Sequence, residues 1–365
     1  MTRKELNLAI FEGKADKVLW QPRLHEWIGR HRENGTMPER FKDMDDLEIY
    51  DELRCSVRYA AHAGIETITD VERKEERRDN HLFSTIRTPK GEITTVHQEI
   101  WENGKLVNSR IVEYPVKTIY DLKVLTDVIE HTHYQVNQDA FRVAAERVGH
   151  RAEPTVFLNS SGFTELIKWW CGLEETFYLL HDHRKDVEVF LEASDRLDDR
   201  QVDAALQLPC RIFNFGDHAN DEFTPPPILK RYMLPRWQHI SSRLHAAGRF
   251  VHSHWDGHSH TILPYLKDSG LDSVEALTPE PQGNITLEEI KEAVGDSIVV
   301  LDILPAIHFL PQYSTREVLD FAKKVIDMFA PRLILGVSDE ISPTGQIEKI
   351  EAISQLVDKT CGLVE

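Results

Sequence analysis

The segment at 251–260, VHSHWDGHSH, contains the residues best suited to do chemistry, because four histidines fall within nine positions. A short apolar lead-in before it predicts a β-strand. Side chains two positions apart project from one face of a strand, so His252 and His254 are expected to lie side by side. Neutral imidazole suits zinc and its neighbours, which makes this pair a candidate start of a metal site. The alternative is a solvated turn in which the imidazoles only hydrogen-bond one another.

Polar residues also follow the other predicted strands, and in a (β/α) barrel the carboxyl ends of the strands carry the working residues. In chain order the strands run into Arg23 and His25, Asp70 and Glu72, Asn159 and Ser160, Asp217 and His218, His252 and His254, Glu275, Asp302, and finally Ser338, Asp339 and Glu340. A single carboxylate there is equally explained by helix capping or loop solvation. The histidine pair with one neighbouring carboxylate would give three protein ligands and an open position, as in catalytic zinc sites.

Short apolar strands and longer helical patterns alternate along the chain, and these elements must position the polar residues. Eight apolar runs predict parallel strands, at 18–21, 65–69, 155–158, 211–215, 250–254, 273–277, 298–301 and 333–337. Capping boxes at Thr286 and Ser314 and helical patterns at 177–191, 227–247 and 318–329 lie between them. The order predicts an α/β fold, a (β/α)8 TIM barrel that forms one domain over residues 1–365. The lack of a glycine-rich phosphate loop after any strand argues against a dinucleotide-binding sheet.

Residues 83–114 break this pattern, because apolar and polar residues alternate there. Turn signals lie at 89–91 and at 102–105, and the Asn-Gly pair of the second turn is typical of a hairpin. We predict an antiparallel β-meander inserted after the second barrel strand, where it serves as a lid or a dimer element.

Composition narrows the class of protein. The 365 residues carry a net charge of −18, which disfavours nucleic acid or an anionic membrane surface as a partner. The sequence has no apolar run long enough to span a bilayer and no signal-like start. The four cysteines are far apart without a Cys-x-x-Cys pair, which argues against a disulfide framework. A cytoplasmic location is expected.

The chain resembles the uroporphyrinogen decarboxylase superfamily, and most closely its branch of corrinoid-linked zinc methyltransferases. The resemblance covers nearly the whole chain. DKVLWQPR at 16–23 resembles the family's first strand, while RTPKG at 87–91 and PVKT at 115–118 resemble the methyltransferase branch's first hairpin and the residues after it. FVHSH at 250–254 falls where that branch has a His-x-Cys zinc motif, and SDEISP at 338–343 falls where the final ligand sits.

This resemblance implies an enzyme that moves a methyl group from a small O-methyl or similar substrate to a corrinoid protein. It implies zinc on His252, His254 and either Asp339 or Glu340. The expected catalytic residues are Asp70, Asp217, His218 and Glu275, and the expected substrate-binding residues are Arg23, Asn159 and Trp255. The corrinoid is expected on a separate protein, because the chain lacks an Asp-x-His-x-x-Gly motif. A homodimer is a further implication.

Departures from the family pattern leave alternatives open. Imidazole and carboxylate replace the branch's thiolates, which makes a harder site suited to a methyl donor bound through oxygen. The loop after His254 is also about two residues longer than the family's. Of the two arginines that bind carboxylates in the decarboxylase branch, only Arg23 has a match, while Asp70 matches the central aspartate. A metal-independent decarboxylase or lyase is therefore the main alternative, followed by an amidohydrolase-type metallohydrolase and by a non-enzymatic corrinoid-handling role.

Overall fold

The structure, a computed structural model, describes residues 1–58, 64–102 and 104–362. Over these residues the strands are β1 (Leu19–Trp20), β2 (Ile65–Thr69), β3 (Glu72–Arg78), β4 (His81–Thr88), β5 (Gly91–Glu102), β6 (Lys105–Glu113), β7 (Thr132–Val136), β8 (Thr155–Leu158), β9 (Ile212–Ala219), β10 (Phe250–Trp255), β11 (Ser273–Glu275), β12 (Val299–Pro305) and β13 (Leu333–Ser338). The α-helices are α1 (Arg3–Phe11), α2 (His25–Glu33), α3 (Asp46–Glu52), α4 (Ile119–Glu130), α5 (Gln138–Val148), α6 (Gly162–Glu165), α7 (Leu173–Asp182), α8 (Arg184–Ala205), α9 (Pro226–Ile228), α10 (Leu234–Ala246), α11 (Leu287–Val294), α12 (Thr315–Phe329) and α13 (Ile347–Cys361).

The chain divides into two compact units. The first comprises Met1–Gly64, Gln138–Phe157 and Leu208–Glu365, and the second comprises Ile65–Asn137 and Leu158–Gln207. The single domain predicted over residues 1–365 stays a prediction.

A seven-stranded sheet forms the centre of the first unit, which contains all of it except the last residue of β8. The strand order is β1-β13-β12-β11-β10-β9-β8, and the strands from β1 to β9 in this order pair in parallel. Every residue of β12 and of β13 is buried, as expected of parallel strands covered on both faces. The predicted α/β class is confirmed, and seven of the eight predicted strands lie in this sheet.

The second predicted strand, at 65–69, lies outside the parallel sheet. As β2 it pairs antiparallel with β7, and none of its residues is buried. It reads IETIT, which lacks the continuous apolar run of a strand buried on both faces, so its assignment to the parallel sheet was wrong. Beside β1 lies instead the extended stretch at 55–58, where the Ser56 amide donates to the Trp20 carbonyl at 2.8 Å. This stretch is too short to give a clear strand signal.

The second unit contains a four-stranded antiparallel sheet in the order β3-β4-β5-β6. The meander predicted over 83–114 lacks the first of these strands, because β3 is a run of charged residues that are all exposed and give no apolar alternation. The turn at 89–91 joins β4 to β5. The Asn-Gly turn includes Asn103, which lies outside the described residues. That this sheet is an insertion into a barrel stays a prediction.

A cluster of buried apolar residues closes the amino end of the parallel sheet. It contains Leu6, Ile10 and Phe11 of α1 and the strand residues Leu19, Ile212, Val299, Leu301 and Ile334. Helix α1 begins at a capping box in which Thr2 and Glu5 bond each other's backbone amides, and it turns its apolar face to these strands. The amino end of the sheet is therefore packed core.

Composition led to two expectations, one about disulfides and one about membrane-spanning helices. The four cysteines are free, in agreement with the absence of a disulfide framework. In the described part of the chain, no helix combines the length and the hydropathy that a bilayer crossing requires.

Candidate active site

The polar residues of β9 and β10 continue the face that begins in the apolar cluster. Ile212 and Phe250 pack at the amino end, and the next residues on the same face are Asn214 and His252, which stand opposite each other in register. His254 follows two positions later, opposite Glu275 of β11. Because strand side chains repeat every two residues, one face changes from hydrocarbon to polar groups within three steps.

Glu275 is the centre of a buried polar network. Its Oε1 accepts hydrogen bonds from His254 Nδ1 at 2.7 Å and from Asn214 Nδ2 at 3.2 Å. Its Oε2 lies 3.1 Å from His252 Nδ1 and accepts from the Arg58 guanidinium. Burial opposes the charge on Glu275, but Arg58 and His252 hold its pKa well below the usual range. The carboxylate thus keeps its charge and fixes the His254 ring by a hydrogen bond, whereas His252 Nδ1 is buried without a hydrogen-bond partner.

His218, His254 and Asp256 form the group of described residues that could hold a metal ion. Each offers one ligand atom, and these atoms lie within 4.8 Å of one another. Asp256 Oδ2 is 3.0 Å from His218 Nδ1 and 3.3 Å from His254 Nε2. The two imidazole rings are 4.4 Å apart between centroids. Two imidazoles and a carboxylate match the three-ligand set of catalytic zinc sites.

The hydrogen bonding of the buried His254 ring indicates whether this group could hold a metal ion. His254 Nε2 is buried and has no hydrogen-bond partner, while Nδ1 of the same ring bonds Glu275. A metal-ligating histidine commonly bonds a carboxylate through its other nitrogen, which orients the ring. Burial disfavours the imidazolium, but Asp256 and Glu275 raise the pKa of His254 to about 9. The donor set therefore fits a divalent cation, which would replace that proton.

Arg58 and Asp302 complete the interior of the network. Arg58 Nη2 donates to Asp302 Oδ2 at 3.0 Å, and Asp302 Oδ1 is buried without a hydrogen-bond partner. Burial raises the pKa of Asp302 to about 7, against the attraction of Arg58 and Arg23. Gly336 leaves room for this carboxylate, since a Cβ there would lie 2.3 Å from Asp302 Oδ1. Asp302 is thus a carboxyl group that gains or loses its proton near neutral pH.

Strained backbone accompanies this polar end of the sheet. Four non-glycine residues in or directly after its strands have positive φ: His218 at 49°, Ala276 at 62°, Asp302 at 73° and Ile303 at 94°. Positive φ is costly for a residue with a Cβ, and most of all for a β-branched one. Such strain clusters at functional sites, where the surrounding structure holds it in place.

Asp339 and Glu340, the expected carboxylate ligands, are paired with Arg23. Arg23 Nη1 donates to Asp339, and Nη2 lies 3.4 Å from Glu340 Oε1. Glu340 Oε2 also accepts from the Glu26 amide at 3.0 Å. Neither carboxylate belongs to the group that could hold a metal, and neither does His252. Arg23, expected to bind substrate, is flanked by two carboxylates of its own chain.

Asp217 and Trp255 lie in the packed layer around the strands. Asp217 is almost fully buried, accepts a hydrogen bond from the Trp237 indole and lies 3.8 Å from Arg236. The Trp255 ring is fully buried and packs 5.6 Å from the Trp237 ring. The catalytic role expected of Asp217 and the substrate-binding role expected of Trp255 stay predictions.

Asp70 and Asn159 belong to the second unit. Asp70 is exposed, and its amide lies 3.4 Å from the His131 carbonyl. Asn159 Nδ2 donates to the Tyr134 hydroxyl at 2.7 Å and to Asp198 at 3.0 Å. The roles expected of both residues stay predictions.

Sequence reasoning missed Asp256 and Arg58. Asp256 stands two positions after His254, so the pair His254 and Asp256 has the same spacing as His252 and His254. The loop after His254 is about two residues longer than the family's, and this was the available signal. The excess disappears when the family's His-x-Cys motif is aligned with His254 and Asp256 instead of His252 and His254. Arg58 gave no signal, since it is the last residue of the stretch at 55–58, which was not predicted as a strand.

No family model matches the chain, and no curated protein sequence matches it. Among solved structures it is similar to a methyltransferase from Methanosarcina mazei, with a TM-score of 0.60 and 13% identity over 98% of this chain and 99% of that one. It is also similar to a B12-independent methionine synthase from Shewanella sp. W3-18-1, with a TM-score of 0.45, 11% identity and coverage of 94% and 97%. A putative vitamin-B12-independent methionine synthase from Listeria monocytogenes gives a TM-score of 0.44, 12% identity and coverage of 94% and 96%. The first likeness establishes a shared fold.

Proposed function

We propose that this chain is a metal-dependent methyltransferase that moves a methyl group from a small O-methyl donor to a corrinoid carried by a separate protein. The observation that carries the proposal is the group of His218, His254 and Asp256, whose ligand atoms lie within 4.8 Å of one another at the carboxyl end of the sheet. Zinc is the proposed metal, because the donors are two nitrogens and one oxygen. A bound zinc ion would polarise the ether oxygen that loses its methyl group.

The chain's own residues prepare this reaction. Glu275 fixes the His254 ring through Nδ1, so that Nε2 faces Asp256. Arg58 keeps Glu275 charged, and a charged acceptor strengthens that hydrogen bond. Asp302 gains or loses its proton near neutral pH and is the proposed donor to the demethylated oxygen. In the proposed overall reaction, an ether, a cobalt(I) corrinoid and a proton are converted to an alcohol and a methylcobalt(III) corrinoid.

The proposal includes a closed (β/α)8 barrel with the antiparallel sheet β3–β6 as its insertion. In this arrangement the stretch at 55–58 fills the second strand position. Two contacts support it: the Ser56 amide bonds the carbonyl of Trp20 in β1, and the Ser56 hydroxyl bonds the Arg151 carbonyl, shortly before β8, at 2.7 Å. The corrinoid protein would dock at the mouth where the metal group lies.

The metal-independent lyase is less well supported. It requires Arg23 to receive a substrate carboxylate, but Asp339 and Glu340 already flank that guanidinium. A substrate would have to displace both.

The test is methyl transfer to free cob(I)alamin from a panel of methoxylated aromatics and small methyl ethers, followed by the absorbance of methylcobalamin. We expect zinc-dependent transfer by the wild-type chain and none by Asp256→Ala. His258→Ala is the matched control, because His258 pairs with Glu222 at 2.7 Å on the surface and should keep full activity. A zinc-loaded wild-type chain that methylates no corrinoid from any donor would refute the proposal.

A further inference from the structure

The residues of the metal group lie where the pairing of β9 with β10 ends. The last register pair between these strands joins Ala219 to Trp255. His218 stands just before this point on β9, and Asp256 follows it on the other chain segment, directly after β10. Contacts outside the sheet must therefore hold Asp256 near His218.

Asp221 makes such contacts between the two loops that follow these strands. It lies in the β9 loop, residues 220–225, and its amide donates to the His258 carbonyl of the β10 loop, residues 256–262, at 2.7 Å. Its Oδ1 accepts hydrogen bonds from the Thr261 amide at 2.9 Å and from the Thr261 hydroxyl at 2.7 Å. Burial opposes the charge on Asp221, but hydrogen bonds, above all those from Thr261, hold its pKa below the usual range. One residue thus makes three hydrogen bonds from the first loop to the second.

Asn284, in the loop after β11, extends this connection. Its Nδ2 donates to Asp221 Oδ2 at 3.1 Å. Its Oδ1 accepts hydrogen bonds from the Ser259 amide at 2.9 Å and from the His260 amide at 3.3 Å. Together the two side chains satisfy three successive amides of the β10 loop, at 259–261, which have no partner in a strand or helix.

We infer that Asp221 and Asn284 are positioning residues for the metal group, because they fasten the β10 loop to the β9 loop. The fastening orders Asp256 beside His218 before an ion binds, and ligands that are already ordered lose less conformational entropy on binding. Neither Asp221 nor Asn284 belongs to the group of described residues that could hold a metal ion, so both act through the loops. The inference rests on the metal group of the proposed function.

Zinc affinity and the visible spectrum of bound cobalt(II) test this role. Cobalt(II) can occupy zinc sites, and its visible absorption reports the number and geometry of its ligands. Asp221→Ala should weaken zinc binding by about tenfold or more, measured by competition with a chromophoric chelator, because the released loop lets Asp256 move. The spectrum of bound cobalt(II) should change as well.

Asp272→Ala is the matched control for a lost loop carboxylate. Asp272 Oδ2 accepts hydrogen bonds from the Val251 amide and from His245 Nε2, both at 2.8 Å, at the amino end of β10. The zinc affinity of this variant should stay within about twofold of wild type, and its cobalt(II) spectrum should be unchanged.

Exchange of the two side chains tests the hydrogen bonds themselves. Asp221→Asn alone turns two amide groups towards each other, and Asn284→Asp alone turns two carboxylates towards each other, so each should lose zinc affinity. In the double variant Asp221→Asn/Asn284→Asp the amide and the carboxylate change places, and every hydrogen bond keeps a donor and an acceptor. This variant should regain both the zinc affinity and the cobalt(II) spectrum of wild type.

The outcomes separate this inference from the proposed function. If wild type binds zinc and cobalt(II) and Asp221→Ala keeps the same affinity and spectrum, the inference alone is overturned. An equal loss of affinity in Asp272→Ala, or a double variant that binds no better than the single ones, would also overturn it. A wild-type chain that binds neither metal would overturn the metal group, and this inference with it.

Discussion

The two ends of the parallel sheet bury different kinds of side chain: apolar residues at the amino end, and charged and polar residues at the carboxyl end. At the amino end Leu19, Ile212 and Ile334 pack against α1, and the strands are held by hydrocarbon contact. At the carboxyl end of the same sheet, His254, Glu275 and other charged groups are buried together, with backbone strain beside them. Burying charge costs free energy that apolar packing must offset. The contrast indicates that the amino end supplies stability and that the carboxyl end uses part of it to position a site.

The largest expected effect is a loss of stability when a side chain of the apolar amino end is removed. Phe11→Ala should lower the free energy of unfolding by about 3–5 kcal/mol, because the buried Phe11 ring packs 5.5 Å from the Phe250 ring and its loss leaves a cavity. Denaturant titration measures this change. Val143→Ala, at a residue 57% exposed on α5, is the control and should stay within about 0.5 kcal/mol of wild type. If Phe11→Ala cost no more than the control, the amino end would not be the stabilising one.

A second, smaller effect concerns the support of the metal group. Glu275→Gln should weaken zinc binding by about 10–100-fold, since it replaces the charged acceptor that orients His254 through Nδ1. Competition with a chromophoric chelator gives the affinity. Asp217→Asn makes the same chemical change at a carboxylate bonded to Trp237, and we expect its zinc affinity to remain within about twofold. Equal losses in both variants would argue against a specific role for Glu275.

The smallest effect is a pH dependence at Asp302. Its pKa is raised to about 7 in the folded chain, so the folded state holds a proton that the unfolded state releases from about pH 4 upward. The free energy of unfolding should therefore fall as pH rises through this range, by at most about 1.4 kcal/mol per pH unit. Asp302→Asn, which cannot ionise, should lose less stability than wild type between pH 5 and pH 7, by roughly 1–2 kcal/mol. Parallel stability curves for the two proteins would contradict the raised pKa.

The sequence predicted the parallel strands well because burial on both faces leaves continuous apolar runs, as at 298–301 and 333–337. It failed at 65–69, where short-range pattern does not reveal which strand a segment pairs with. Site residues were harder. His254, Glu275 and His218 were predicted as site residues because they lie at the ends of predicted strands. The contact of His254 with Asp256 depends on where β10 ends, and that of Arg58 with Glu275 joins residues far apart in the chain.

The most direct test of the central claim is the zinc content of three proteins purified without a histidine tag and supplied with zinc: wild type, Asp256→Ala and His252→Ala. The account predicts about one zinc per chain in wild type and in His252→Ala, because His252 contacts Glu275 but lies outside the group of His218, His254 and Asp256. It predicts no stoichiometric zinc in Asp256→Ala. Zinc retained by Asp256→Ala but lost from His252→Ala, or a wild-type chain that binds none, would contradict it.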